Sequence, residues 1–299
     1  MATGRDHYRG TMPEMPEVQA HAERMTEALA GRRLAKFELL NFAALKTFDP
    51  PVDAAVGHRL VGVGRRGKYL LARFDSGHTH VVHLMQGGRL RPDPKRSRKP
   101  KLGLARWIFD PADDPGAGDD EAAWLLTEAG SERKAGVWAV DGDPLVTEPL
   151  SGLGPEADAI GRDELAAILG QHSKRLHGLL RDQRTLAGLG RMLANEICYE
   201  ARLSPFANAA KLDDEQIDRL HAAIGSVVAA ATEHERTLDD IGKSVDRPSK
   251  VHNRSGEPCT GCDDTIRTVE YRAYTVYYCP TEQTDGKLLA DNTTSKFLK

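Results

Sequence analysis

The sequence predicts an α+β chain: one helix, a β-sandwich, a helical region, and a cysteine-bearing β-hairpin at the end. Three observations carry this. Apolar residues recur at helical spacing near the start, and short apolar runs separated by turn residues follow. After a Gly- and Pro-rich stretch the periodicity becomes helical, and a cluster of cysteines closes the chain.

Val18, Ala22, Met25 and Leu29 fall on one helical face that ends at Gly31. The runs Ala35–Phe42, His58–Gly64, Lys68–Phe74, His78–Met85, Leu104–Asp110, Ala122–Thr127 and Val137–Val140 read as strands of a sandwich or barrel. Asp113–Glu121 is rich in Gly and Asp and reads as a loop. Asp141–Pro155 lacks periodicity and reads as an interdomain linker. Helical patterns follow at Arg162–Leu169, Ser173–Arg181, Leu189–Ala201 and Asp213–Thr232. In the last, Asp213 with Gln216 three residues on forms a capping-box pattern. Asp239–Ser255 is polar and reads as loop, and Glu257–Gln283 as a hairpin with a metal knuckle.

A chain of 299 residues is long enough for two compact domains and a small third module. No apolar run approaches the roughly 18 residues of a membrane span, and Met1 to Thr11 lacks a signal-peptide core. Four cysteines, three of them clustered, fit a reduced interior and a metal site better than a disulfide framework, so the expected location is bacterial cytoplasm, where the nucleoid lies. The net charge of −3 hides an uneven distribution: Val61 to Lys101 holds eleven Lys/Arg against two Asp, and Asp110 to Glu132 holds eight acids and no base. A basic sector of this kind attracts phosphates, although its Lys95–Lys101 part also reads as a solvated loop.

Four segments carry the chemistry. The first is Met12-Pro13-Glu14-Met15-Pro16-Glu17-Val18. The second is Arg65-Arg66-Gly67-Lys68-Tyr69, with His83-Leu84-Met85-Gln86-Gly87-Gly88 after it. The third runs from Leu180 through Ala187-Gly188-Leu189-Gly190-Arg191 and Asn195-Glu196 to Ser204-Pro205. The fourth is Cys259-x2-Cys262, sixteen residues, then Cys279-Pro280-Thr281-Glu282. Paired Cys-x2-Cys knuckles are a zinc pattern, and here Glu282 stands in the fourth ligand position.

Together these segments resemble the formamidopyrimidine-DNA glycosylase/endonuclease VIII family of repair enzymes, and the resemblance covers nearly the whole chain from Met12. It implies an N-terminal β-sandwich catalytic domain over residues 12–148, a helix-two-turn-helix domain over 149–249 and a zinc-ribbon-like hairpin and tail over 250–299, preceded by an extension over 1–11. DNA is expected in the cleft between the domains. It implies a bifunctional glycosylase and abasic-site lyase acting, as a monomer, on double-stranded DNA that contains oxidised bases or abasic sites. Pro13 would be the nucleophile, Glu14 the proton donor, Glu17 a second acid and Lys68 a phosphate-gripping lysine. Gln86, or Met85 beside it, would fill the gap left by a flipped base, and Arg133 would meet the widowed partner base. Arg191 and Arg272 would contact phosphate, and Cys259, Cys262, Cys279 and Glu282 would hold zinc, with His252 the nearest alternative ligand.

The chain departs from the family pattern at several of these places. Eleven residues precede Met12, and an internal proline nitrogen is an amide whose lone pair is delocalised. A start at Met12, or trimming, frees that nitrogen; otherwise Pro13 is inert. Arg191 stands where the family carries Asn, Tyr274 where its hairpin carries Arg, and His177 where relatives often carry Lys. The Thr237–Lys250 connection is short, as in the endonuclease VIII branch. Two alternatives stay open: a non-cleaving relative that binds damaged or abasic DNA, and a zinc-ribbon regulator that binds intact duplex or protein. A metal-free hairpin held by Tyr271, Tyr274, Tyr277 and Tyr278 is the alternative to zinc.

Overall fold

Helix α1 (Met15–Leu29) buries the stripe predicted for it: Val18, Ala22, Met25 and Leu29 all lie in the first core. The protein is described from a computed structural model, which covers residues 12–111, 121–129, 134–241, 247–271 and 274–289. The 1–11 extension, the Asp113–Glu121 loop except Glu121, Arg133 and Arg272 lie outside the described residues. The chain divides into two compact units, one of the residues through 13, 17–152 and 238–244, the other of 14–16, 153–237 and 245 onward.

Among the described residues the first unit holds eight strands in two antiparallel sheets. One has the order β1 (Leu34–Leu39), β6 (Gly103–Phe109), β7 (Ala122–Glu128), β5 (Gly88–Pro92). The other has β2 (Leu60–Arg66), β3 (Tyr69–Phe74), β4 (His78–His83), β8 (Gly136–Asp141). Residues of both sheets, among them Leu34, Leu60, Leu70, Phe74, Trp107 and Leu126, meet in one core. Strand β5 escapes the sequence reading. Its Gly-Arg-Leu-Arg-Pro sequence buries only Leu90 deeply among its side chains, and as an edge strand it tolerates the proline at its end. The predicted Lys68–Phe74 strand starts one residue later, because Gly67, at φ +56, and Lys68 form the β2–β3 turn.

Some polar groups buried in this core are paired in defined ways. Trp107 Nε1 donates to His80 Nδ1 at 2.9 Å. An indole N–H can only donate, so the His80 proton sits on Nε2 and is given to Val52 O at 2.9 Å. Thr26 Oγ1 accepts from Val63 N at 2.9 Å and is 3.0 Å from Val63 O, tying α1 to β2.

The second unit is helical, with α2 (Arg162–Gly170), α3 (Leu176–Leu180), α4 (Arg191–Glu200) and α5 (Asp214–Arg236). The predicted capping box is present: Asp213 accepts from Gln216 N, and the Gln216 side chain accepts from Asp213 N. Helix α4 is buried along almost its whole length, with Leu193, Ala194, Ile197 and Cys198 in the second core. Strands β9 (Arg267–Glu270) and β10 (Thr275–Tyr278) form the terminal hairpin, and the short α6 (Pro280–Thr284) follows. Tyr199, Val251, Cys259, Ile266 and Cys279 make a small third core beneath it. Among the described residues no helix is long and apolar enough to cross a membrane.

Candidate functional site

The N-terminus of α4 organises the site of the second unit. Gly190 precedes the helix and has no side chain to cap it. The job is done by Glu14: Oε1 accepts from Met192 N at 2.9 Å and Oε2 from Leu193 N at 3.0 Å. These are the second and third amides of the helix, the pair an N-cap side chain serves. The glycines of the turn make the approach possible. A Cβ on Gly190 would lie 2.1 Å from Glu14 Oε1, and one on Gly188, at φ +100, would lie 2.1 Å from the end of Met15. Met15 N also donates to Gly188 O at 3.1 Å. Glu14-Met15 and the Gly-x-Gly turn, about 170 residues apart by their numbering, are therefore one structural piece within the second unit. Pro13, directly before Glu14, is buried.

Arg191 is exposed at the first position of α4, and its guanidinium lies 5.7 Å from the centre of the Tyr274 ring. Tyr274 thus meets the arginine that replaces the expected Asn. His177, on α3, is buried and near-parallel to the same ring at 6.0 Å. Burial drives its imidazole down to about 3, so it is neutral.

In the first unit Glu17 is fully buried in the first turn of α1. Lys68 is buried too, at 8% exposure. It lies in the field of His83, whose pKa burial, and then Lys68, lower to about 4. His83 Nδ1 accepts from Met85 N at 2.9 Å and so shapes the β4–β5 turn. In that turn Met85 leans on the core while Gln86 is exposed, which makes Gln86 the side chain presented outward. Ala129 N donates to Gly87 O at 3.1 Å, holding the start of the β7–β8 loop against this turn.

At the hairpin, the sulfurs of Cys259, Cys262 and Cys279 lie within 4.8 Å of one another, with Cys262 and Cys279 at 3.4 Å. A tetrahedron with Zn–S bonds of about 2.3 Å has an edge of about 3.8 Å, so three thiolate corners fit this soft-donor ion. Burial opposes ionisation of Cys259, but hydrogen bonds from Tyr199, Gly261 N and the neighbouring thiols outweigh it and lower its pKa. The Glu282 carboxylate is not grouped with the sulfurs; it pairs with Arg202 at 3.4 Å. His252 does not join them either. It is buried, and its Nδ1 is bonded to Asn195 Nδ2 at 2.8 Å.

Two residues of α4 escaped the sequence reading. Glu196 accepts from Lys250 N at 2.7 Å, Val251 N at 3.0 Å and His252 N at 2.8 Å. Asn195 bonds His252 and accepts from Tyr277 N at 3.3 Å. Together they fasten the segment before the hairpin, and β10 itself, to the helix. The signal was present as an Asn-Glu pair inside an otherwise apolar helical stripe.

Residues 12–119 match the formamidopyrimidine-DNA glycosylase N-terminal domain, and 151–241 the formamidopyrimidine-DNA glycosylase H2TH domain. The formamidopyrimidine-DNA glycosylase of Chloroflexus aurantiacus is 31% identical over 283 residues, spanning 91% of this chain and 98% of that one. The MutM (Fpg) protein of Thermus thermophilus has a similar structure, with a TM-score of 0.75 and 26% identity over 91% of this chain and 98% of that one. The Lactococcus lactis formamidopyrimidine-DNA glycosylase, solved non-covalently bound to DNA containing an abasic site, shares the fold with a TM-score of 0.78 and 20% identity over 91% of this chain and all of that one.

Proposed function

The chain belongs to the formamidopyrimidine-DNA glycosylase family, and from that premise we propose that it excises oxidised bases from double-stranded DNA and cleaves the resulting abasic site. The observation that carries the assignment of residues is the Glu14 carboxylate, fixed by two backbone amides of α4 directly after Pro13.

Once its nitrogen is a free secondary amine, Pro13 attacks C1′ of the damaged nucleotide. The C1′–N bond to the base breaks and the base leaves with the electron pair. Glu14 gives a proton to the sugar ring oxygen, the ring opens, and the proline nitrogen and C1′ form an iminium. Its positive charge acidifies the C2′ proton, and loss of that proton expels the 3′ phosphate. Lys68 and Arg191 hold phosphates, and Gln86 fills the place of the extruded base. In a chain that retains the residues before Pro13 the nitrogen is an amide, and the same protein binds abasic DNA without forming the adduct. Cys259, Cys262, Cys279 and, once it leaves Arg202, Glu282 would hold zinc, which would supply folding energy to the hairpin rather than chemistry.

Strand cleavage of an abasic duplex by a chain beginning at Met12 tests this. Glu14→Gln should lose roughly 10²- to 10⁴-fold in rate, the usual worth of a general acid. Undiminished cleavage by Glu14→Gln would remove Glu14 from the chemistry.

A further inference from the structure

We propose that Arg181 and Arg175, at the two ends of α3, cap an aromatic ladder and grip two phosphates of the DNA backbone; this rests on the DNA-binding reading above. The ladder lies wholly within the second unit. Tyr271 stacks on Tyr274 at 4.6 Å and 13°. The Arg181 guanidinium lies over Tyr274 at 4.0 Å. Two groups so close to one ring centre occupy its opposite faces. Tyr271 in turn stacks on Phe206 at 6.2 Å and 25°. Arg175 lies over Phe206 at 4.9 Å and donates Nη1 to the Tyr271 hydroxyl at 2.7 Å. The order is arginine, tyrosine, tyrosine, phenylalanine, arginine.

The geometry selects the ligand. Tyr274 has both faces covered and Tyr271 is stacked on both sides, so the ladder offers no site for a base to stack. A guanidinium centred over a ring still carries N–H donors along the edge of its own plane. That edge matches two oxygens of a phosphate. Charge agrees. None of Arg175, Arg181 and Arg191 forms an ion pair with a carboxylate among the described residues, whereas neighbouring Lys174 is neutralised by Asp182 at 2.7 Å. Arg191 brings a second guanidinium to the Tyr274 end. The neutral His177 supports that ring without adding charge.

Helix α3 sets the spacing. Arg175 is its N-cap and Arg181 its C-cap. Six residues at 1.5 Å rise separate their backbones by about 9 Å, so the two guanidiniums serve separate phosphates. Both residues are unassigned by the sequence reading, which looked for the hairpin's cation in Arg272.

The test is the salt dependence of binding to an undamaged duplex, followed by fluorescence anisotropy with the full chain. Each neutralised phosphate contributes about 0.9 to the log–log slope. Arg181→Gln and Arg175→Ala should each make the slope shallower by about 0.9, and the double variant by about 1.8. Arg181→Lys should keep the slope but bind more weakly, since it keeps the charge and loses the planar fork of donors. Arg175 is exposed, so Arg175→Ala reads its end of the ladder in a protein whose melting should be unchanged. An unchanged slope in either Arg181→Gln or Arg175→Ala overturns the proposal. Because undamaged DNA is not cleaved, a chain that cleaves abasic DNA yet shows unchanged slopes keeps the proposed function and loses the ladder.

Discussion

Replacing Glu196 should detach the hairpin segment from α4. Its carboxylate is buried and takes three backbone N–H bonds from consecutive residues, 250 to 252, at 2.7, 3.0 and 2.8 Å. A hydrogen bond to a charged group contributes about 1.5–3 kcal/mol, and three bonds sharing one carboxylate add to less than three times that. Glu196→Ala leaves those amides without their acceptor and should cost about 3–5 kcal/mol. Glu196→Gln can still point its carbonyl at Val251 N and His252 N, which share Oε1, while its NH2 opposes Lys250 N. It should cost about 1.5–3 kcal/mol. The assay is urea unfolding of the full chain, with limited proteolysis reporting the hairpin separately. The segment near Lys250–His252 should become the first site of cleavage in Glu196→Ala. A Glu196→Ala protein within about 0.5 kcal/mol of the parent, the range of ordinary surface changes, would show that this carboxylate does not hold the segment.

The remaining expectations concern pH, phosphate and metal. His21, His80, His83, His177 and His252 are all held low by burial, four of them to about 4 and His177 to about 3. Below about 6.5 the unfolded chain takes up protons that the folded chain refuses, so stability is complete above that pH and falls towards pH 4, by up to about 1.4 kcal/mol per pH unit per histidine. Denaturant midpoints at pH 7, 6 and 5 measure this, and equal stability at all three would contradict it. Lys68→Ala should make the salt slope of DNA binding shallower by about 0.9 and, since Lys68 is buried, should also lower the melting temperature; normal binding at normal stability would exclude it. Glu282→Cys should retain more metal per chain after dialysis against a chelator and protect Tyr277–Tyr278 from proteolysis, by completing four thiolates. Retention of one zinc by Glu282→Ala, equal to the parent, would place the fourth ligand elsewhere.

Periodicity carried much of the fold. The α1 stripe, the Asp213–Gln216 box and most strands were legible because each is decided by residues close in sequence. Strand β5 was not, since an edge strand with one deeply buried side chain has little apolar pattern to show. Within the site, the Gly188–Gly190 turn was legible as a motif, but its packing against Met15 and Glu14 was not, because nothing local to either segment encodes the meeting. The burial of Lys68 was hidden for a related reason: a basic turn has no local pattern that marks it as buried, and only the tertiary fold covers it. Glu196 and Arg181 were passed over because their partners, three backbone amides and a tyrosine on the hairpin, lie more than fifty residues away.

Pro13, freed as an N-terminal amine, is the residue proposed to join DNA. Borohydride reduction during reaction with an abasic duplex, followed by digestion and mass spectrometry of the cross-linked peptide, tests it directly. A stable adduct is expected on the nitrogen of Pro13 in a chain begun at Met12 with that methionine removed, and none in an untrimmed 299-residue chain. An adduct on Lys68 or another lysine, or equal trapping by the untrimmed chain, would contradict it.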